Sequence, residues 1–187
     1  GSSQYDFIIP ESENSPTPLY GTVIRPGVDE FLDFLFDSNQ FEVGVWTSAT
    51  EDYAKLVVDN VFGPDRKPLF VFSRDRCVRS WMPTSNPYGM SGETVLIKDL
   101  KKVKRATGFR YERMVAIDDH APYLQRQYSN LIAIPEYKGG SEKPVFPYLM
   151  RYLDRLSSLE NVRTIDKRGW LTKYRTGDFD YHGPEPS

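Results

Sequence analysis

The sequence predicts a single α/β domain in which helices cover both faces of a mostly parallel sheet. Its clearest strand is the apolar run Met114–Ile117, and continuous apolar runs of this length are typical of strands buried on both faces. A second run of the same kind spans Asn130–Ile134. Strand and helix patterns alternate along the rest of the chain, which is typical of an α/β three-layer sandwich.

Each element is predicted from a local pattern. Apolar residues recur at i, i+3, i+4 and i+7 from Val28, which predicts a helix after Pro26. Ser48 and Glu51 have capping-box spacing, and Asp99 is placed to cap a further helix. In chain order, the predicted elements are a hairpin of Tyr5–Ile9 and Gly21–Ile24, a helix from Pro26, a strand Phe41–Trp46, a helix from Ser48, a strand Leu69–Phe72, a loop Met82–Gly92, a strand Thr94–Ile97, a helix Leu100–Arg105, a strand 114–118, a helix from Pro122, a strand Asn130–Ile134 and a helix bearing Leu149, Tyr152, Leu153 and Leu156.

Composition limits the partners and the compartment. The 187 residues carry a net charge of −2 and a single cysteine, Cys77, so there is no global basic field to attract nucleic acid and no internal disulfide. No apolar run is long enough to cross a membrane. We therefore expect a soluble, intracellular protein, cytoplasmic or nuclear, with neither nucleic acid nor membrane as partner. We interpret residues 1–4 as an expression-tag remnant, 5–168 as one domain and 169–187 as an irregular tail.

Polar side chains follow three of the predicted strands. Thr47 comes directly after the predicted strand Phe41–Trp46, and Lys98 after the strand at 94–97. The pair Asp118 and Asp119 comes after the apolar run at 114–117. Ligands of parallel sheets bind beyond these carboxyl ends, and two adjacent carboxylates suit Mg²⁺. A hydroxyl and an ammonium suit phosphoryl oxygens. Each residue also has an ordinary structural explanation, as a helix cap, a residue approaching a helix or a solvated lysine.

Four segments together resemble a known family. RPGVDEFLDFL (25–35), VGVWTSATEDYA (43–54), KDLKKV (98–103) and VAIDDHAPY (115–123) resemble the haloacid dehalogenase superfamily. Within it they resemble the branch of small phosphatases of the RNA polymerase C-terminal domain and NLI-interacting-factor-like proteins, over residues 5–168. The resemblance implies a Rossmann-like sheet and Mg²⁺-dependent hydrolysis of a phosphorylated protein or small phosphomonoester through an aspartyl-phosphate. It assigns the phosphoryl group to Thr47, the phospho-aspartate to Lys98 and the metal to Asp118 and Asp119.

The chain departs from this family at its first motif, Asp-x-Asp-x-Thr, which supplies the nucleophile on a central strand. Asp6 has no apolar run before it. Asp178 and Asp180 follow the polar segment KYRTG and precede His182, which does not fit a central strand. The residues after Asp119, His120-Ala121, also replace the usual Ser/Thr-Pro. No central nucleophile strand is evident.

Three explanations fit the missing motif. The nucleophile segment lies upstream in the natural protein, or the chain is a non-catalytic relative that binds phosphorylated partners, or the strand was removed. We favour the first, because Thr47, Lys98 and both carboxylates are present, and we expect the 187-residue chain alone to be inactive. Without the central strand its neighbours would lack a hydrogen-bonding partner, so we expect the tail, another segment or a partner chain to fill the gap.

Overall fold

A computed structural model describes residues 7–9, 20–83, 92–141 and 143–177. These residues form a mixed α/β structure, which confirms the predicted class in its coarse form. The strands are β1 Phe7–Ile9, β2 Tyr20–Thr22, β3 Gly44–Trp46, β4 Phe70–Phe72, β5 Val78–Pro83, β6 Gly92–Ile97, β7 Ala116–Asp118 and β8 Leu131–Ala133. The helices are α1 Val28–Asp37, α2 Glu51–Phe62, α3 Lys101–Thr107, α4 Phe146–Ser157 and α5 Trp170–Thr176. Short 3-10 segments span Arg74–Arg76, Tyr111–Arg113, Ala121–Asn130 and Val162–Thr164.

The described strands pair as four separate two-stranded ladders. β3 pairs with β4 and β7 with β8, both in parallel, whereas β1–β2 and β5–β6 are antiparallel. The β1–β2 pairing confirms the predicted hairpin. Within the described part of the chain no ladder joins β3 to β7, so the sheet is not the continuous, mostly parallel one that the sequence predicts. Among the described strands, β3 and β7 each have a partner on one edge only.

Two apolar clusters link the parallel ladders. The larger contains α1, α4 and α5 residues, and Val43 just before β3 and Ile117 in β7 both pack against it. The smaller contains Phe72 of β4 and Leu131 of β8. The smaller cluster takes residues from both ladders, and the larger takes β7–β8 residues and Val43 beside β3, so β3–β4 and β7–β8 share a core.

The first two helices begin at residues of different kinds. α1 follows Gly27, whose φ of 84° is in the left-handed region that favours glycine, and its Phe31 stacks on Phe146 of α4 with centroids 4.8 Å apart. The predicted capping box is wrong in detail: the N-cap of α2 is Thr50, with no side-chain cap. Ser48 instead lies in the preceding loop, where its carbonyl accepts from Arg74 Nε at 2.7 Å.

The predicted irregular tail from residue 169 is wrong for residues 170–176, which form α5. Trp170 and Tyr174 are one helical turn apart and both are buried. The Trp170 ring stacks on Tyr152 of α4 at 5.3 Å, and its Nε1–H donates to the carbonyl of Ala133 at 2.7 Å. Burial of two aromatic rings on one face orders this segment despite its polar composition.

The predicted loop Met82–Gly92 is wrong at its two ends, because β5 continues through Met82 to Pro83 and β6 begins at Gly92. β5 pairs antiparallel with β6 over its whole length. The rest of the predicted loop, 84–91, lies outside the described residues. The predicted helix from Pro122 is a 3-10 segment with non-helical backbone at Leu124 and Gln127. Asp6, Asp178, Asp180 and His182 lie outside the described residues, so the interpretations of those positions are untested. No described helix has both the length and the apolar character needed to span a bilayer.

Candidate active site

Thr47 lies directly after β3, where the sequence places it. Its backbone N–H donates to the carbonyl of Phe72 at the end of β4 (2.8 Å), so the parallel ladder fixes its position. Its hydroxyl oxygen accepts from Ala49 N–H at 3.1 Å. A hydroxyl has one proton and two lone pairs, so the proton of Thr47 stays available for a ligand oxygen.

Lys98 and Asp118 form the most protected ion pair at these strand ends. Lys98 Nζ donates to Asp118 Oδ2 at 2.5 Å, and the two side chains are only 12% and 7% exposed. The other carboxylate oxygen of Asp118 accepts from His120 N–H at 2.8 Å. The structure thus brings together Lys98 and Asp118, two residues that are 20 positions apart in the chain.

The two adjacent carboxylates differ in their surroundings. Asp118 is buried and both of its oxygens have protein donors. Asp119 is exposed, and within the described residues it makes no hydrogen bond or ion pair. The sequence predicts that both hold a metal, but only Asp119 offers a carboxylate that no protein donor occupies.

The adjacent carboxylates Asp118 and Asp119 are the side chains at this site that could hold Mg²⁺. Mg²⁺ sites commonly use one or two protein carboxylates, with water and substrate phosphate completing the coordination. Asp119 fits that protein share as an open carboxylate, whereas Asp118 would have to give up one of its two protein hydrogen bonds to join it. Among the residues with described placement, no group of three or more His, Cys, Asp or Glu side chains could hold a metal ion. Mg²⁺ therefore stays a prediction supported by the chemistry of the two carboxylates.

Asp99 links the Lys98 turn to the segment that follows Asp118 and Asp119. The N-cap of α3 is Leu100, without a side-chain cap, and not Asp99 as predicted. The Asp99 carboxylate, one residue earlier, accepts from the N–H of Lys101 (3.0 Å), from Arg126 (3.1 Å) and from Gln127 (3.0 Å). Burial raises the pKa of this carboxyl, but those three hydrogen bonds outweigh burial and leave the pKa below its ordinary value. Lys98 N–H in turn donates to the carbonyl of Tyr123 at 2.7 Å.

One aromatic ring lies beside the Lys98 ammonium, and a second ring packs on the first. Nζ is 5.3 Å from the centroid of the Tyr123 ring, and the His120 ring packs on Tyr123 with centroids 4.2 Å apart. A ring face attracts a cation, so Tyr123 stabilises the charged lysine. Tyr123 was not among the predicted site residues, although its position shortly after the acidic strand end places it near the site.

Cys77 lies next to the Thr47 backbone and at the same end of the β5–β6 hairpin as Lys98. Its Sγ lies 4.0 Å from the carbonyl oxygen of Thr47, and the pairing of Val78 with Ile97 puts Cys77 and Lys98 at the same end of the β5–β6 hairpin. Burial raises the pKa of the Cys77 thiol, and the charges of Lys98 and Lys102 offset this only in part. Lys98 follows β6, which is a strand of an antiparallel hairpin and not of the predicted parallel sheet.

A hydroxyl, an ammonium and paired carboxylates at strand ends suit a phosphoryl group, which is the group that a phosphatase handles. The chain belongs to the NLI interacting factor-like phosphatase family, whose model matches residues 2–163. It is also 29% identical over 127 residues to a CTD phosphatase-like protein of Invertebrate iridescent virus 3, a match that covers 63% of this chain. The same match spans 62% of the viral protein's length.

Proposed function

We propose that this domain is part of an Mg²⁺-dependent phosphatase that hydrolyses a phosphomonoester, with phosphoserine or phosphothreonine in a protein as the substrate. The observation that carries the proposal is the protected Lys98–Asp118 pair beside the exposed Asp119 carboxylate. The pair fixes one cation where a phosphoryl group would carry negative charge. Asp119 is the adjacent carboxylate that is open to a metal ion.

Each side chain has a role that its surroundings support. Thr47 would donate its hydroxyl proton to a phosphoryl oxygen, because its own oxygen already accepts from Ala49. Lys98 would neutralise charge on the phosphoryl group while Asp118 holds its ammonium in place. Asp119, supported by Asp118, would hold Mg²⁺. When bound, that ion would neutralise phosphoryl charge and orient the group for attack.

The nucleophilic carboxylate is proposed to come from a strand outside this sequence that lies between β3 and β7. This agrees with the edges of β3 and β7 that lack a strand partner in the described ranges. Thr47 follows β3 and Asp118 ends β7, so a parallel strand between them would end between those two residues. Filling this position would also complete the three-layer sandwich predicted for the family.

Hydrolysis and binding assays test the proposal. The 187-residue chain is expected to show no hydrolysis of 4-nitrophenyl phosphate with Mg²⁺, and the same chain extended by its upstream coding sequence is expected to hydrolyse it. Robust turnover by the 187-residue chain would show that the nucleophile lies within it.

Calorimetry with a phosphoserine peptide then tests the strand-end residues. Thr47→Ala and Lys98→Ala are expected to weaken binding, whereas Thr107→Ala on α3 and Lys101→Ala, at the start of the same helix, are matched controls that keep it. Equal affinity in all four variants would remove Thr47 and Lys98 from the site. Binding without hydrolysis in the extended chain would favour the alternative function, a non-catalytic module that binds phosphorylated partners.

A further inference from the structure

A cleft of about 440 Å³ lies between the start of α2 and the β5–β6 hairpin. It is lined by Thr50, Glu51, Arg74, Asp75, Cys77, Arg79 and Leu96. Cys77 Sγ lies 4.0 Å from the Thr47 carbonyl, and Arg74 Nε donates to the carbonyl of Ser48 at 2.7 Å. The cleft is therefore directly adjacent to the loop that positions the Thr47 hydroxyl.

The charged side chains that line this cleft are not paired with one another in the described residues. Asp75 accepts from Ser73 Oγ at 2.5 Å and lies 3.7 Å from Arg76, which is outside the cleft. Within the described residues, the Arg74 guanidinium donates to the carbonyl of Ser48 and the Arg79 side chain makes no hydrogen bond or ion pair. Glu51, at the start of α2, is exposed, as is Asp75. The lining thus contains two guanidinium groups and two carboxylates, and in the described part of the chain neither guanidinium is paired with a carboxylate.

The hairpin presents Arg79 on a surface that continues beyond the cleft. Arg79 pairs with Leu96 across the ladder, and Leu96 also lines the cleft. Trp81 is two residues further along β5, so its side chain is on the same face, and it is 56% exposed. An extended ligand in the cleft could therefore continue over an indole ring.

We propose that this cleft is a second anion subsite, in which Arg79 and Arg74 bind a negatively charged group of the substrate next to its phosphorylated residue. The inference rests on the proposed function and names its substrate class: phosphopeptides with a carboxylate or a second phosphate close to the reacting phosphate. Guanidinium groups bind both anions through paired hydrogen bonds. A peptide fits better than a small phosphomonoester, because the surface continues past the cleft to Trp81.

The test compares the affinities of fluorescent phosphoserine peptides by polarisation, with Mg²⁺ present and the 187-residue chain. Each peptide has Asp, Asn or a second phosphoserine at one position within three residues of the central phosphoserine. For at least one position we expect the Asp and phosphoserine peptides to bind about fivefold more tightly than the Asn peptide, as for a partly exposed ion pair. Comparison of these two peptides distinguishes a carboxylate subsite from a phosphate subsite.

Variants connect this preference to the cleft. Arg79→Gln is expected to abolish the preference while leaving the affinity for the Asn peptide unchanged, and Arg79→Lys is expected to retain part of it. Arg76→Gln is the matched control, because it removes a charge from the same segment outside the cleft. Circular dichroism melts verify that each variant is folded.

Three results would overturn the inference. Equal affinities for Asp, Asn and phosphoserine peptides would overturn the subsite and leave the proposed phosphatase function intact. A preference that persists in Arg79→Gln would place the anion elsewhere. Failure of every phosphopeptide to bind would overturn both the subsite and the proposed function.

Discussion

The Lys98 ammonium lies 2.5 Å from Asp118 Oδ2, and both side chains are largely buried. The pair therefore has little water to replace either partner if one is removed. The first carboxylate of the Asp-Asp sequence is held by the lysine, while the second is exposed. This division of roles between neighbours of identical chemistry is set by burial and not by residue type.

Replacing Lys98 is expected to cost stability as well as phosphate affinity. In Lys98→Met the Asp118 carboxylate stays buried without its partner, and loss of one member of a buried pair costs about 3 kcal/mol. Urea denaturation measures the change. The exposed Lys101→Met is the control, with an expected change of about 0.5 kcal/mol or less.

A double variant separates the effect of the unpaired charge on stability from the effect of lost side-chain packing. Adding Asp118→Asn to Lys98→Met removes the unpaired charge and is expected to restore part of the lost stability. If Lys98→Met is as stable as Lys101→Met, the pair is screened by solvent and does not hold the site in the way its geometry indicates.

Mg²⁺ is expected to stabilise the protein through Asp119. A ligand at ten times its Kd adds about 1.4 kcal/mol, which corresponds to a rise in Tm of about 4 °C for a chain of this size. Asp119→Asn is expected to abolish the rise, whereas Asp154→Asn, on the exposed side of α4, should preserve it. An equal rise in both variants would assign the metal to other residues.

Asp99 is expected to make stability depend on acid pH. Its folded-state pKa is lowered, so its contribution is complete above the unfolded-state pKa of about 3.9 and is lost as pH falls through the lower folded-state value. The stability difference between wild type and Asp99→Asn should therefore be constant from about pH 5 upward and shrink below about pH 4. Urea denaturation from pH 3 to pH 7 measures it, and a difference that grows on acidification would contradict the assignment.

The helix α5 is expected to be part of the folded core. Trp170→Ala removes a ring that stacks on Tyr152 and a hydrogen bond to Ala133, and deleting a buried Trp side chain costs about 3–5 kcal/mol. Lys173→Ala, on the exposed side of the same helix, should change the free energy of unfolding by about 0.5 kcal/mol or less. Similar unfolding free energies for the two variants would mean that α5 is not part of the core, and that the sequence-based prediction of an irregular tail is right for this segment.

The sequence predicted the position of Thr47, Lys98 and Asp118 at strand ends because short apolar runs stop abruptly at polar residues. Their pairing could not be predicted. The contact between Lys98 and Asp118 depends on where the β5–β6 hairpin places the lysine, and β5 itself, with Arg79 near its start, was not predicted as a strand. Long-range register is not encoded in local periodicity.

The helix α5 escaped prediction for a different reason. Seven residues with two buried aromatics give too short a pattern to distinguish from polar loop, and tertiary packing on Tyr152 decides the outcome. The bond from Lys101 N–H to the Asp99 carboxylate could be anticipated, because it spans two residues. Its bonds to Arg126 and Gln127 were not, because they join residues 27 and 28 positions away.

The hydrogen bond from Lys98 N–H to the Tyr123 carbonyl allows the motion of the site to be followed by hydrogen–deuterium exchange. The backbone amide of Lys98 can take up deuterium only when the 121–130 segment detaches from the Lys98 turn. Deuterium uptake at this single amide would therefore time the local opening of the loop that carries Asp119, in the absence of any ligand. It would show how far the charged groups are preorganised before a phosphate arrives.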